Sequence, residues 1–444
     1  MILNKEYDYI IVGTGPGGAT VAKELAQENS NLLILETGPR LKETGFLKVA
    51  PKAFEENTKN PLRSDGNIYF SRARILGGSS YVAMGNAPTP PKKVFDEWGI
   101  DLSEELEWSS KELRVTPMPE KFMGAATKSI NRAAASLGWE MIPTPKSVDF
   151  TKCKKCGLCM YGCPTGAKWT SLEFIDAAVN NGADLMIETE VTQVLHKNAT
   201  TIGVSASYKG EQITIKGKHV IISAGGLGTP IILQNSGIKD AGEGLAGDVF
   251  QTTYGFTNDV GMQREIILAT YLEQLIEKKE LFTAPYMYNS FLVKRDLDGG
   301  YPEKMGKLQQ VKMFLESQSI DTKHLIGMMT KIRDEMNGIV HNNGNISKQL
   351  TEWDKAKLDE AYKINREILI AAGAKPETIF TGLFESGHPC CTAAIGNIVD
   401  EHQETKIENL FVSDASVFPS PLGMPPILTV VALSKRLSNY LLST

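Results

Sequence analysis

Residues 7–12 read Tyr-Asp-Tyr-Ile-Ile-Val, a mostly apolar run that predicts a buried strand. The run turns into Gly13-Thr-Gly15-Pro-Gly17-Gly18, residues 19–27 follow with helical spacing, and residues 31–35 form a second apolar strand that ends at Glu36. Further along, the pattern predicts strands at 185–187, 191–195 and 219–223, and a hairpin of 201–208 with 212–216 around Lys209-Gly210. Helices are predicted at 125–137, 171–180, 231–236 and 353–372, the last capped by Gly373. Residues 262–279 carry a helical face, although 265–272 also suits a strand.

Strand, glycine turn, helix, strand and acid is the order of a dinucleotide fold. Gly13 permits the tight turn, Gly15 lets backbone approach a pyrophosphate, and Gly18 lets helix and strand touch. The helix N-terminus would hold the phosphates. Glu36, about twenty residues past the glycines, would accept from ribose hydroxyls. A second loop, Gly77-Gly78-Ser79-Ser80, suits close approach to a flat cofactor and its phosphates.

The 444 residues are 42% hydrophobic, enough for one large domain or two joined ones. A net charge of −5 without basic–aromatic interleaving excludes a nucleic-acid binder. No apolar stretch is long enough to span a bilayer, and residues 1–6 carry no apolar leader, so a cytoplasmic protein is expected. In that compartment clustered cysteines point to metal or redox chemistry rather than disulfides.

Four of the six cysteines fall in one run, Cys153, Cys156, Cys159 and Cys163, followed by Pro164. The spacing C-x2-C-x2-C-x3-C-P is that of the bacterial ferredoxin run. Each short gap lets successive thiolates converge on one small inorganic core, and Gly157 and Gly162 allow the tight path. A zinc ribbon would separate its cysteine pairs by a longer loop. The expectation is therefore an iron–sulfur cluster, of the 4Fe–4S type. In two-cluster ferredoxins the fourth cysteine serves the other cluster, and no second run exists here. Either Cys163 closes the same site, or Cys390 or Cys391 supplies the missing ligand. Trp169 reads as a core residue more readily than as a neighbour of the cluster, and His324 and His341 as structural or exposed.

Four blocks together resemble the glucose–methanol–choline (GMC) oxidoreductase family: residues 13–36, the Gly77–Ser80 loop, residues 221–230 with Ala224, Gly225, Gly226 and Gly228, and residues 388–436. The resemblance implies an α/β (α+β) protein with a Rossmann-like, discontinuous FAD domain and a smaller substrate or cap domain. Residues 1–100, 171–245 and 386–444 would form the FAD domain, 101–170 an insertion with the cysteines, and 246–385 the cap. Within Gly387-His388-Pro389-Cys390-Cys391-Thr392, the family's active-site histidine falls on His388. It would take the hydroxyl proton of an alcohol while the carbinol hydrogen leaves as hydride to flavin N5. Asn86, Ala224, Gly225, Asp414, Ala415 and Pro425 would complete the cofactor's surroundings.

Two positions depart from the family. Its asparagine after the glycine loop is replaced by Ala83, with Asn86 three residues later. Pro425 stands where most members carry a second catalytic histidine or asparagine, and proline offers no side-chain hydrogen bond and no N–H. Proline still suits the first position of the last helix, whose dipole would favour a reduced, anionic flavin. No histidine lies near Gly77, so non-covalent FAD is expected.

The implied function is oxidation of an alcohol or polyol by FAD, with electrons leaving singly through the cluster to a ferredoxin or another redox subunit. Two other readings stand beside it. One is a flavin reductase fed by a ferredoxin-like donor, motivated by Pro425. The other is a non-catalytic, FAD-binding electron-transfer subunit, motivated by the short middle region.

Overall fold

The structure, a computed structural model, describes residues 5–28, 30–42, 44, 45, 53, 62–287, 289–299, 315–317 and 319–444; residues 1–4 of the expected leaderless start lie outside them. Two sheets carry the architecture. The first is built on β1 (Glu6–Val12), β2 (Leu32–Leu35), β3 (Asp184–Met186), β4 (Thr189–Lys197), β5 (Thr200–Tyr208) and β6 (Glu211–Ile222), in the order β3-β2-β1-β6-β5-β4. β3, β2, β1 and β6 run parallel, whereas β6, β5 and β4 form an antiparallel meander. The late strand Leu410–Val412 joins β6 in parallel.

The sheet is covered on both faces, as a parallel sheet requires. Side chains alternate strictly: Ile10, Val12, Leu33, Leu35 and Ile222 enter the large core shared with the second sheet. Ile11, Leu32, Ile34 and Ile221 enter a smaller core under the helices. Those helices include α1 (Pro16–Gln27), α3 (Leu172–Asn180) and the final α6 (Ile427–Ser443), with α1 against both others; α2 (Ala125–Ser136) lies elsewhere.

The second sheet is antiparallel at its centre. Its main strands are β7 (Phe250–Phe256), β8 (Leu281–Pro285) and β9 (Leu325–Ile332), in the order β8-β9-β7, extended by Glu385–Ser386 and Tyr69–Phe70. Every residue of β9 is buried. α5 (Glu352–Ala371) packs across β9 and β7. Its start carries a capping box in which Thr351 and Asp354 satisfy each other's backbone N–H.

Several elements differ from the sequence pattern for local reasons. α1 begins at Pro16 rather than residue 19, because proline is pre-set for the first helical position. Residues 212–216 and 219–222 are parts of the single strand β6, continuous through Gly217, where a Cβ would stand 2.5 Å from Ile10 Cδ1. The helix expected at 231–236 is α4 (Gly225–Asn235), six residues earlier. Residues 262–279 resolve into the strand Thr270–Leu272 and the helix Glu273–Lys279. The last helix starts at Ile427 with Pro426 as its N-cap, so neither proline occupies the first helical position. His324 and His341 bond the Asp259 carbonyl and the Ser347 hydroxyl, at 2.7 and 3.1 Å.

Candidate active site and cysteine cavity

The glycine turn folds tightly because its neighbours leave no room for side chains. Gly13 has φ +102°, donates to the Leu35 carbonyl at 2.8 Å, and would place a Cβ 2.3 Å from Ser223 O. A Cβ on Gly18 would stand 2.1 Å from Gly13 O, and one on Gly17 only 1.7 Å from Ser413 O. Gly15 is the exception: nothing lies within 4 Å of where its Cβ would be. That open space sits at the N-terminus of α1, with Gly78 close against Gly15 on one side. Unsatisfied N–H groups and the helix dipole make it a site for phosphate.

Glu36 and Thr14 tie the cradle together. Glu36 accepts from the Thr14 N–H (3.1 Å), the Thr14 hydroxyl and the Gly38 N–H (2.8 Å), and Thr14 Oγ1 in turn accepts from Gly77 N–H at 2.9 Å. Burial raises the Glu36 carboxyl pKa against these hydrogen bonds. The serines after Gly78 hold the loop's own shape: Ser79 Oγ accepts from Ala73 N–H, while Ser80 Oγ donates to Gly77 O and accepts from Ser171 N–H. The Asn86 side-chain oxygen accepts from Lys146.

The third glycine block meets the C-terminal segment. Asp414 accepts from Gly225 N–H (2.8 Å), the Thr229 hydroxyl and Ser416 N–H (2.8 Å), so its carboxylate is engaged at the start of α4. A Cβ on Gly226 would stand 2.0 Å from Pro389 O, and Cys391 N–H donates to Ala415 O. Pro230 lies inside α4 and cannot donate to Gly226 O; the Thr392 hydroxyl takes that acceptor at 2.8 Å. Gly226 and Ala415 therefore form the bed on which the Pro389–Thr392 segment rests. As at Gly15, nothing lies within 4 Å of a Cβ on Gly225.

His388 keeps 20% of its side chain exposed, and its Nδ1 lies 3.3 Å from Asp248 Oδ2. Asp248 is buried just before β7 with φ +47°. Its other oxygen accepts from Gly423 N–H at 2.6 Å, joining His388 to the turn that carries Met424 and Pro425. Burial pushes the Asp248 carboxyl up to about 7. Burial, then the nearby Lys331 ammonium, holds the His388 imidazole well below its usual value. Lys331 stands over the Phe250 ring at 4.1 Å, and burial draws it down to about 8. Asp248 had no signal in the sequence, since its partner is 140 positions away. Cys390 and Cys391 are buried beside this group, their sulfurs 3.5 Å apart, with Cys390 directed at Ala246 O.

The four cysteines of the run are free thiols lining one cavity, and Lys146 and Lys168 line it too. Cys163 shares that cavity with the other three, whereas Cys390 and Cys391 do not. Among the described residues no three His, Cys, Asp or Glu side chains close on a single metal-ion position. Burial raises the thiols of Cys153 and Cys159. Burial also acts on Cys163, but the Thr165 hydroxyl and the N–H groups of Lys168, Thr165 and Ala167 outweigh it and lower its pKa. Lys168 donates to Ser80 O, Tyr81 O, Ala83 O and Cys159 O, so one ammonium clasps both the loop after Gly78 and the cysteine segment. Lys146 bonds Asn86 and Ile267 O. Trp169 turns away and packs edge-on against Phe174 at 5.1 Å, a core residue.

The profile of GMC oxidoreductases matches residues 7–254 with its N-terminal part and 315–434 with its C-terminal part. An uncharacterized protein of Methanocaldococcus jannaschii is 28% identical over 438 residues, covering 98% of this chain and all of that protein. The long-chain-alcohol oxidase FAO1 of Arabidopsis thaliana is 24% identical over 520 residues, covering 98% of this chain and 66% of the oxidase. The crystal structure of pyridoxine 4-oxidase from Mesorbium loti superposes with a TM-score of 0.74 at 14% identity, covering 99% of this chain and 100% of that one. No helix among the described residues is long and apolar enough to cross a membrane. The mixed α/β architecture is that of the GMC fold, the cradle at Gly15 fits FAD, and the chain belongs to the GMC oxidoreductase family.

Proposed function

We propose that this chain is an FAD-dependent dehydrogenase of alcohols or polyols that passes electrons through an iron–sulfur cluster to a protein acceptor. The observation that carries the reading is the single cavity shared by Cys153, Cys156, Cys159 and Cys163, clasped to the loop after Gly78 by Lys168. Each iron of a 4Fe–4S cluster takes one thiolate, and the four thiols of the run line the same cavity. The N–H groups aimed at Cys163 are donors of the kind that tune such centres. Bound there, a 4Fe–4S cluster would supply one-electron exchange, which favours a dehydrogenase over an oxidase.

Gly13, Gly15, Gly18, Gly77, Gly78, Ala224, Gly225 and Ala415 would hold FAD without a covalent bond, with Glu36 at the ribose end. Bound FAD would supply the hydride acceptor. On this reading His388 is the base. An ionised Asp248 accepts from Nδ1–H, which leaves the lone pair on Nε2 free for the substrate hydroxyl. Pro425 contributes no side-chain hydrogen bond, so His388 works without the family's second polar group.

Ionisation of Asp248 sets the sign of the pH dependence. Below its pKa of about 7, the protonated carboxyl donates to Nδ1 and places the imidazole proton on Nε2, which blocks the base. Activity is therefore expected to rise with pH through about 7. Asp248→Asn is expected to flatten that limb and to give up part of the roughly 10²–10⁴-fold worth of acid–base catalysis. A pH profile of kcat/KM with an unchanged limb in the variant would remove Asp248 from this role.

Iron and flavin analysis with low-temperature EPR, on protein purified without oxygen, tests the cluster. About four irons per chain and a signal on reduction are expected, with iron lost in Cys156→Ser. Full FAD with no iron would reduce the protein to a simple alcohol oxidoreductase. Reduction by ferredoxin but by no alcohol would reverse the proposed electron flow.

A further inference from the structure

Lys146 and Lys168 are 0% and 3% exposed. Their hydrogen bonds run to backbone carbonyls and to the Asn86 amide, and neither pairs with a carboxylate among the described residues. Both line the cavity of Cys153, Cys156, Cys159 and Cys163, and Lys168 also donates to Cys159 O at 3.0 Å. Other buried lysines of this chain are treated differently. Lys348 pairs with Asp334 at 2.8 Å, and Lys331 faces Asp248, Glu385 and Asp334. A buried ammonium is costly unless an opposite charge meets it. Carbonyl dipoles hold these two in place, and the cavity they line would offer an opposite charge once its thiols are ionised as metal ligands.

We propose that Lys146 and Lys168 are the fixed counter-charge of an anionic metal–thiolate centre held by Cys153, Cys156, Cys159 and Cys163, and that they set its reduction potential. The inference rests on the cluster reading above. Four thiolates on a 4Fe–4S core leave a net charge of about −2 when oxidised and about −3 when reduced, and net charge is a main determinant of potential. Two ammonium groups at the wall stabilise the reduced state more than the oxidised one. They also stand on the side of the cavity that faces the loop after Gly78, through Ser80, Tyr81 and Ala83 for Lys168 and through Asn86 for Lys146. The positive charge thus lies at the boundary between the cysteines and the candidate flavin cradle, where it favours residence of an added electron on the cysteine side.

The test is a redox titration of the holoprotein, with dithionite as reductant and EPR as readout, on Lys146→Met and Lys168→Met beside the unaltered chain. Iron and FAD are assayed in each sample. Wild-type protein without iron would sink the cluster reading itself, and the iron assay reports that separately from the potential. With iron retained, each variant is expected to lower the equilibrium constant for reduction tenfold or more, which is about 59 mV per tenfold for a one-electron couple. Full iron with an unchanged potential in both variants overturns the proposal. Should the methionine variants lose iron while keeping FAD, Lys146→Arg and Lys168→Arg decide. Iron restored by arginine shows that the charge is what the centre needs; iron absent from the arginine variants as well overturns the proposal.

Discussion

The His388→Gln enzyme is expected to lose roughly 10²–10⁴-fold in kcat/KM for alcohol oxidation while retaining its FAD. Glutamine keeps a polar side chain opposite Asp248 but has no lone-pair nitrogen to take a proton. The native imidazole is suited to that task because burial and the Lys331 charge keep it neutral, with Nδ1 3.3 Å from Asp248 and no hydrogen bond on Nε2 among the described residues. The loss should fall on kcat, since a base acts in the transition state more than in binding. The peptide around position 388 is held by groups that the substitution leaves alone: Pro389 against Gly226, Thr392 on Gly226 O, and Cys391 on Ala415 O. FAD content is therefore the control. A variant that loses FAD along with activity would make His388 a structural residue. Undiminished turnover would move the base role to Asp248, the other titrating group in contact with it.

What the sequence disclosed and what it hid follow from the range of the interactions. Residues 7–36 were legible because strand, turn, helix and acid are adjacent in the chain, although Gly13 and Gly17 answer to the distant Ser223 and Ser413 backbones. The strands expected at 212–216 and 219–223 are one, and the missing Cβ of Gly217 between them admits Ile10 of the neighbouring strand. The true start of α4 was masked by three glycines and Pro230, and the compensation for Pro230 comes from Thr392, far away in sequence. Much of the second sheet depends on pairing β7 with β9, a long-range register that no local pattern encodes. The same holds for chemistry. His388 stood out by its motif, while Asp248 is recognisable only once β7 brings residue 247 and its neighbours to the Gly423 turn. Lys168 likewise acts as a clasp only through carbonyls more than eighty residues earlier.

Lys348→Met is expected to destabilise the protein by about 3–5 kcal/mol, and to disturb the active site as it does so. Lys348 and Asp334 are a fully buried pair, 0% exposed on both sides and 2.8 Å apart. Lys348 also bonds Glu335 O and the Asn337 side chain, and Asp334 accepts from Gly247 N–H and Val249 N–H at 3.1–3.2 Å. Asp248 lies between those two amides. Removing the ammonium leaves a buried carboxylate whose pKa burial already raises. Asp334 must then either carry an unpaired charge or take up a proton that weakens its hold on the 247–249 loop. The double variant Lys348→Met with Asp334→Asn separates the charge from the loop. Its amide oxygen still accepts from Gly247 and Val249, so it should recover part of the lost stability in thermal unfolding and bring back the activity limb near pH 7. A single variant as stable as the parent would mean that solvent reaches Asp334. Recovery of stability without recovery of the pH limb would show that the ionised carboxylate, not only its hydrogen bonds, holds Asp248 against His388.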